Sequence, residues 1–386
     1  GTSPMAMPTS RWLVAGALVG GLVFLAARRR SRSAKMPRRR LPGTKIDVSV
    51  LCLGTWSFGG TEEQPDATHG YIKGGQAAIN AIVSTALECG INFFDTAEAY
   101  ADHRAERALG EALRASGASR SEYVIASKFG RHKGSVDTEY DAKAVRAALA
   151  RSLDALGVAF IDLYQVHWAG NMASAAEVAA VLAELQAEGL IRAFGVCNFG
   201  EAQMAAFDAA AAAASGCRLV TSNQLPYNLL WRAIEFGIRP RCERDGWGVL
   251  AYGPFQEGLL CGKYHAVDDV PIGRRRTKHF AMASSPLSRH GSSGAEAETF
   301  ASIGAVERVC AECGISPMHA AVAWLLRQPT VTSVIFGCSS AQQVRANAAL
   351  VALTDAQSAQ LTAATAGLKA ALGPDADMWG SPSRIA

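Results

Sequence analysis

Four residues with proton-carrying side chains lie at the ends of predicted strands or shortly after them. Asp95, Lys128 and His167 each end a short apolar run, and Tyr100 lies in the loop that follows Asp95. A carboxylate, an ammonium, an imidazole and a phenol all hold or transfer protons. A single polar residue at a strand end is usually a turn cap, but three on successive strands predict a shared site.

The elements that position these residues alternate along the chain. Short apolar runs alternate with stretches rich in alanine and leucine, a pattern typical of a parallel sheet with helices on both faces. The predicted strands are Val50–Leu53, Ile91–Asp95, Tyr123–Lys128, Ile161–His167, Ala193–Cys197, Leu219–Leu225, Gly248–Tyr252 and Val334–Phe336. The predicted helices include Gln76–Glu88, Ala105–Ala115, Asp141–Leu156, Ala175–Glu188 and Glu201–Ala214. Eight such units in about 300 residues predict a closed (β/α)8 TIM barrel, whose chemistry takes place at the C-terminal strand ends.

These residues lie in motifs that resemble the aldo-keto reductase family. The likeness runs from about Leu41 to Asn347, and it is closest to the branch that includes potassium-channel β-subunits and related bacterial and plant reductases. Further shared motifs are Leu53-Gly54-Thr55-Trp56, Gly195-Val196-Cys197-Asn198-Phe199, Asn223-Gln224-Leu225-Pro226-Tyr227-Asn228 and Gly258-Leu259-Leu260-Cys261-Gly262-Lys263-Tyr264.

The resemblance implies a catalytic role for each of the four residues. Tyr100 would donate its phenolic proton to a carbonyl oxygen, and Lys128 would stabilise the phenolate, because free tyrosine has a pKa near 10. Asp95 would hold Lys128, and His167 would orient the carbonyl. The implied activity is NADPH-dependent reduction of a small aldehyde or ketone to an alcohol, with no metal. The alternative is a slow NADP(H)-binding sensor that serves as an auxiliary subunit of a membrane complex.

The hydride must come from a cofactor, because no side chain can supply it. No Gly-x-Gly-x-x-Gly motif follows a predicted strand, so a Rossmann domain is not predicted. The resemblance instead implies NADP(H) bound across the barrel mouth, with Asn198 and Gln224 on the carboxamide and Tyr252 stacked on the nicotinamide ring. The other positions expected to contact the cofactor are Thr55, Trp56, Asp95, Cys197, Gly253, Pro254, Phe255, Gly337, Ser339, Gln343 and Asn347.

The cofactor phosphates are expected to meet cations near a long loop. Residues 265–299, rich in Gly, Ser, Pro and Arg, show no periodicity and predict a binding loop after the seventh strand. Lys263 and one of Arg274, Arg275 and Arg276 would bind the phosphates. A run of arginines in a loop is often only a solvated charge cluster, but phosphate recognition favours arginine. Arg274 is the candidate we take forward.

Two departures from the family pattern lie close to the predicted site. Cys197 stands where the family usually has serine, and a thiol is a weaker hydrogen-bonding group. After Tyr100 the family prefers Gly-x-Gly-x-Ser-Glu, whereas this chain reads Ala101-Asp102-His103-Arg104-Ala105-Glu106. The loss of two glycines is expected to stiffen this turn and to put the imidazole of His103 beside the mouth.

Composition excludes several classes of protein. With 49% hydrophobic and 19% charged residues in 386, the chain can bury a core and is not disordered. The net charge of +4 conceals an asymmetry, because residues 1–46 hold ten basic and no acidic residues. The remaining body is mildly acidic, which argues against nucleic-acid binding. Nine irregularly spaced cysteines argue against disulfides and for a reducing, intracellular compartment, and the Cys310-x-x-Cys313 pair lacks the partners of a zinc site.

The predicted domains are a leader over residues 1–40, the barrel over 41–365 and a C-terminal tail over 366–386. In the leader, Trp12–Ala27 is a run of sixteen apolar or small residues flanked by arginines. As a helix it would span about 24 Å, short of the roughly 30 Å of a bilayer core. A signal anchor with the barrel on the cytosolic face and a plastid or mitochondrial transit segment both stay open, and a secretory peptide fits the intracellular barrel less well. The oligomeric state is not predicted.

Overall fold

Eight parallel strands close into a barrel in the computed structural model, which describes residue 1 and residues 36–60, 72–130, 139–215 and 220–385. A short antiparallel hairpin of β1 (Arg38–Arg40) and β2 (Asp47–Ser49) precedes the barrel. The barrel strands are β3 (Leu51–Gly54), β4 (Phe93–Asp95), β5 (Val124–Phe129), β6 (Ile161–Val166), β7 (Ile191–Cys197), β8 (Val220–Pro226), β9 (Gly248–Tyr252) and β10 (Val331–Phe336). Each strand pairs with the next, and β10 pairs with β3. The predicted (β/α)8 TIM barrel is therefore confirmed.

Helices follow the strands on the outside of the barrel. They are α1 (Gly75–Glu88), α2 (Arg104–Ala115), α3 (Ala142–Leu156), α4 (Ala175–Ala187), α5 (Glu201–Ser215), α6 (Ile238–Asp245), α7 (Glu296–Cys313), α8 (Pro317–Leu326), α9 (Ala341–Asn347), α10 (Asp355–Ala364) and α11 (Ala366–Leu372). Side-chain caps begin several of them: Asp141 accepts a hydrogen bond from the Ala144 N–H at the start of α3, and Ser174 accepts one from Glu177 at the start of α4. The first five helices coincide with the predicted helical stretches to within one or two residues.

The barrel interior and the strand–helix layer are two separate apolar clusters. Small and large side chains fill the interior, among them Cys52, Phe93 and Leu163. Leu41 and Val48 of the hairpin pack into the same cluster, so the hairpin closes the barrel at the N-terminal ends of the strands. The interior is a packed core, which leaves only the C-terminal strand ends for a site.

The barrel unit begins before the boundary predicted from the sequence. The compact unit covers Met36–Ala386, and Arg38–Arg40 pair with Asp47–Ser49, so residues 36–40 belong to the barrel unit. The Arg39 guanidinium also donates to the carbonyl oxygen of Leu326 at 2.5 Å. The apolar run Trp12–Ala27 lies outside the described residues. Among the described helices, no single one is long and apolar enough to cross a membrane, and the bent pair α7 and α8 meets that test only together, across a 91° bend.

Candidate active site

Three side chains meet at the C-terminal ends of β4 and β5. The Lys128 Nζ donates to Asp95 Oδ1 at 2.7 Å, to the Thr96 carbonyl oxygen at 2.8 Å and to the Tyr100 hydroxyl at 3.2 Å. Lys128 is 0% exposed. Its three N–H bonds thus have protein acceptors in place of water, which is what a buried ammonium requires.

The electrostatics keep a proton on the phenol and a positive charge on the amine. Burial raises the pKa of Tyr100 to about 12, although the neighbouring charge of Lys128 acts in the opposite direction. Burial is the largest single influence on Lys128 and disfavours its ammonium, but the Asp95 carboxylate and the smaller contributions of Tyr100 and Cys197 together outweigh it, so the Lys128 pKa lies above its ordinary value. At neutral pH the pair therefore holds a protonated phenol beside a cation, which is the state a proton donor needs.

His167 directly follows β6 and completes the group. Its backbone N–H donates to the carbonyl oxygen of Phe129 at 2.9 Å, which holds it beside the end of β5. Its ring meets the Tyr100 ring edge to face, with centroids 6.0 Å apart and planes at 77°. The structure thus brings all four residues together, and the phenol and the imidazole border the same space at the mouth.

The residues expected to hold the carboxamide are bonded to this group. Gln224 Nε2 donates to Asp95 Oδ2 at 2.8 Å, so the carboxylate is held between Gln224 and Lys128. Asn198 has a left-handed φ of 60°, and its Oδ1 accepts a hydrogen bond from the Tyr252 hydroxyl at 2.9 Å. Strained backbone of this kind clusters at functional sites, because only the surrounding structure can maintain it.

Three further predicted cofactor residues serve different purposes. Thr55 is fully buried, and both its N–H and its hydroxyl donate to the Asp95 carbonyl oxygen, at 2.9 and 3.1 Å. It therefore positions Asp95. Trp56, by contrast, is 37% exposed, and the Arg276 guanidinium lies 5.1 Å from its ring centroid. The buried Cys197 thiol lies 3.6 Å from Gln224 Oε1, and burial raises the pKa of Cys197.

The predicted segment Gly253-Pro254-Phe255 forms the turn after β9. Gly253 has φ of 69°, which favours glycine, and its carbonyl oxygen accepts a hydrogen bond from Asn228 Nδ2 at 2.9 Å. Phe255 precedes a short 3-10 segment, Gln256–Cys261, that leads to the cationic residues. The turn thus connects the ring of Tyr252 with the predicted phosphate side.

The structure distinguishes among the three consecutive arginines. A Cβ placed at Gly258 would lie 2.9 Å from Arg274 Nη1 and 3.4 Å from Lys263 Nζ, so these two exposed cations converge above a glycine. Arg274 donates to the Glu257 carbonyl oxygen at 3.0 Å and has no carboxylate partner among the described residues. The other two do have one: Arg276 bonds the Glu257 carboxylate at 3.2 Å, and Arg275 lies 3.9 Å from that of Asp268.

The last predicted cofactor residues lie at α9, after β10. Ser339 donates to Gln343 Oε1 from its N–H at 2.8 Å and from its hydroxyl at 3.2 Å, and Ser340 caps the helix. Gly337, Ser339 and Gln343 are exposed, while Asn347 is buried at the end of the helix. This side of the site is open to a ligand.

Sequence analysis did not predict that the C-terminal residues 377–384 pack beside the barrel mouth. The Trp379 ring lies parallel to that of Tyr252, with centroids 5.8 Å apart and an angle of 5°. Arg384 pairs with the buried Asp377 at 2.6 Å and lies over the Trp168 ring at 4.0 Å. The only local signal is a tryptophan in a tail otherwise rich in small residues, and it does not reveal which loop the tail meets.

His103 does not lie where the sequence led us to expect it. Its side chain is buried rather than facing the mouth, and Nδ1 is hydrogen-bonded to Glu106 Oε2 at 2.5 Å. The backbone keeps the left-handed shape of a glycine turn, with φ of 63° at His103, and this points the imidazole into the protein.

A family model of the aldo/keto reductase family matches residues 50–366, which include all four proton-carrying residues. The chain belongs to the aldo/keto reductase family. It is therefore an oxidoreductase domain of a family that uses nicotinamide cofactors. Within the described residues no group of three or more histidine, cysteine or acidic side chains could hold a metal ion.

Proteins similar to this chain carry the names of enzymes and of a channel subunit. The chain is 29% identical over 343 residues to the NADH-specific methylglyoxal reductase of Escherichia coli, covering 81% of this chain and 93% of that one. It is 28% identical over 329 residues to a putative voltage-gated potassium channel subunit beta of Schizosaccharomyces pombe, covering 83% and 89%. The solved structure of a glycerol dehydrogenase from Gluconobacter oxydans superposes with a TM-score of 0.66 at 28% identity, covering 86% of this chain and 95% of that one.

The residues present fit a nicotinamide dinucleotide. Asn198 and Gln224 offer amide groups beside Asp95, and the ring of Tyr252, which Trp379 covers on one face, lies next to Asn198. The absence of a side chain at Gly258 lets Lys263 and Arg274 converge over the backbone, and this pair of cations can meet a phosphate.

Proposed function

We propose that this protein is an NADPH-dependent carbonyl reductase that converts an aldehyde or ketone to an alcohol. The observation that supports this proposal most directly is that one buried ammonium, Lys128 Nζ, donates hydrogen bonds to both Asp95 and the Tyr100 hydroxyl. That geometry supports a phenol that gives up its proton beside a fixed positive charge.

Each side chain has a task in this reaction. When bound, the cofactor supplies the hydride that reduces the carbonyl carbon. Tyr100 donates its proton to the carbonyl oxygen, and Lys128 stabilises the phenolate that is left. Asp95, held from the other side by Gln224, keeps the ammonium in place. His167 orients the carbonyl from across the mouth.

The preference for NADPH over NADH rests on charge. The two cofactors differ only in the 2′-phosphate, a dianion that arginine and lysine recognise well. Lys263 and Arg274 lie together above Gly258, and neither has a carboxylate partner among the described residues, so both are available to an anion. Because one relative is named NADH-specific, both cofactors have to be tested.

The test is a steady-state assay of purified protein with a panel of aliphatic, aromatic and 2-oxo carbonyl compounds. Loss of NADPH absorbance measures turnover, and the same panel with NADH measures cofactor choice. We expect turnover of at least one class and a lower KM for NADPH than for NADH. Equal kcat/KM with the two cofactors would contradict the NADPH preference, and the absence of turnover would contradict the reductase proposal.

A second candidate is a slow cofactor-binding sensor in a membrane complex, as the name of the fission-yeast relative suggests. It differs from a working reductase in rate, since it would bind NADPH tightly and reduce carbonyls very slowly. Whichever of the two functions the protein has, we propose that Trp12–Ala27 directs it to a membrane or an organelle. Fractionation of cells that express the full chain tests this.

A further inference from the structure

Three consecutive non-glycine residues after Tyr100 have left-handed backbone. The φ angles are 51° at Ala101, 53° at Asp102 and 63° at His103. Residues with a Cβ rarely adopt this conformation even singly, because the Cβ approaches the carbonyl oxygen that follows. A turn of this shape next to a proton donor persists only if its surroundings hold it.

His103 supplies that hold through one buried carboxylate, that of Glu106, and a second, that of Glu98, lies beside it. Its Nδ1 is hydrogen-bonded to Glu106 Oε2 at 2.5 Å, and its Nε2 lies 3.8 Å from Glu98 Oε2. Both glutamates are 0% exposed, and His103 is 5% exposed. The backbone N–H of His103 also donates to the Glu98 carbonyl oxygen at 2.9 Å, which closes the turn on itself.

The same two carboxylates hold β5 on either side of Lys128. Glu106 Oε1 accepts a hydrogen bond from the Ser127 hydroxyl at 2.5 Å, directly before Lys128. Glu98 Oε1 accepts one from the Gly130 N–H at 2.8 Å, two residues after it, and its own N–H donates to the Lys128 carbonyl oxygen at 3.1 Å. His103 thus connects the turn that carries Tyr100 to the strand end that carries Lys128.

Other groups around the carboxylates do not replace the imidazole. Arg151 Nη2 lies 3.6 Å from Glu98 Oε2, but its side chain is 51% exposed. The Tyr140 hydroxyl donates a hydrogen bond to Glu98 Oε1. Burial near Glu98 and Glu106 holds the pKa of Tyr164 well above its ordinary value, so the Tyr164 phenol is uncharged. Within the described part of the chain, His103 is the buried imidazole that lies beside both glutamates.

We infer that His103 is a positioning residue that holds the Tyr100 hydroxyl and the Lys128 ammonium in register. It touches neither substrate nor cofactor and acts through Glu98 and Glu106. The inference rests on the proposed function, because the relative position of the Tyr100 hydroxyl and the Lys128 ammonium matters for proton transfer from Tyr100.

The test compares three variants with the wild-type protein. His103→Gly keeps the left-handed turn but removes the imidazole, and we expect kcat to fall roughly ten- to a hundredfold with the dissociation constant of NADPH unchanged. His103→Asn tolerates left-handed φ and puts an amide donor about where Nδ1 lies, so it should recover most of the loss. Ala101→Gly, the matched control, gains the same backbone freedom in the same turn and should keep wild-type kcat.

Two readouts separate positioning from a general loss of structure. In a Tyr100→Phe background, His103→Gly should change the residual rate by less than twofold, because the hydroxyl it positions is gone. Hydrogen exchange in peptides 97–105 and 124–130 should quicken in His103→Gly and not in Ala101→Gly. Wild-type kcat in His103→Gly, an Asn variant no better than Gly, or equal losses with and without Tyr100 would each overturn the inference.

The exchange measurement needs no turnover, so it separates the two proposals. If the wild-type protein reduced no carbonyl, the proposed function would fail. The exchange data would still decide whether His103 holds the turn against β5: faster exchange in both peptides supports the hold, and unchanged exchange overturns it.

Discussion

Replacing Tyr100 with phenylalanine removes the proposed proton donor and little else. The ring that meets His167 edge to face is retained, and only the hydroxyl that accepts a hydrogen bond from Lys128 at 3.2 Å is lost. Lys128 keeps its shorter bonds to Asp95 and Thr96, at 2.7 and 2.8 Å. The stability of the fold should therefore fall by about 1 to 3 kcal/mol, because the lost bond involves a charged group and leaves one N–H of the buried ammonium without its acceptor.

The effect on the reaction should be much larger. A positioned general acid contributes roughly a hundred- to ten-thousandfold to the rate, or about 2.7 to 5.4 kcal/mol of barrier. Because Tyr100 lies on the substrate side of Lys128 and holds no cofactor atom in the proposed arrangement, the loss should appear in kcat. Affinity for NADPH should stay within about twofold.

The assay measures kcat and KM for one good carbonyl substrate, the dissociation constant of NADPH from tryptophan quenching, and the melting temperature. Tyr123→Phe is the matched control, since this buried tyrosine packs edge to face on Phe94 in the strand–helix layer, with centroids 6.5 Å apart, away from the mouth. Turnover near the wild-type rate in Tyr100→Phe would refute the assignment of the proton donor. A parallel loss of NADPH binding would show that the hydroxyl has a binding role instead.

Three further predictions concern the cofactor, the pH profile and the leader. Replacing Lys263 and Arg274 together with alanine should weaken NADPH roughly ten- to a hundredfold and NADH little, measured as dissociation constants, with Arg275→Ala as the control; equal losses would mean that the pair does not bind the 2′-phosphate. Burial raises the pKa of Tyr100 to about 12, and the protonated phenol is the active form. The kcat for reduction should therefore stay constant from about pH 7 to pH 10 and fall only as the pH rises towards that pKa. A loss of kcat centred near pH 8 in the wild type, absent in Tyr100→Phe, would contradict this. A chain that starts at the buried Met36 should fold and turn over at the full-length rate, measured on the two purified proteins, because every site residue lies beyond it; inactivity would show that the leader contributes to the barrel.

Several features of this protein could be predicted because their signals are local in the sequence. Apolar runs of strand length alternate with helical stretches, and a parallel barrel is the fold that buries such strands on both faces. Asp95 and Lys128 could be placed together because polar residues that end neighbouring parallel strands must meet at the same rim. The leader stands out by composition alone, whereas the strand pairing of Arg38–Arg40 with Asp47–Ser49 leaves no mark on the run itself.

The sequence by itself thus determined the barrel, the family and the proton-carrying group at its mouth. Only the tertiary structure decided that Arg274, rather than Arg275 or Arg276, lies beside Lys263, that the imidazole of His103 turns inward, and that Trp379 covers Tyr252. Each of these depends on which loop a side chain meets across the barrel. Loop contacts are set by long-range packing and by backbone angles at single residues, and neither has a periodic signature in the chain.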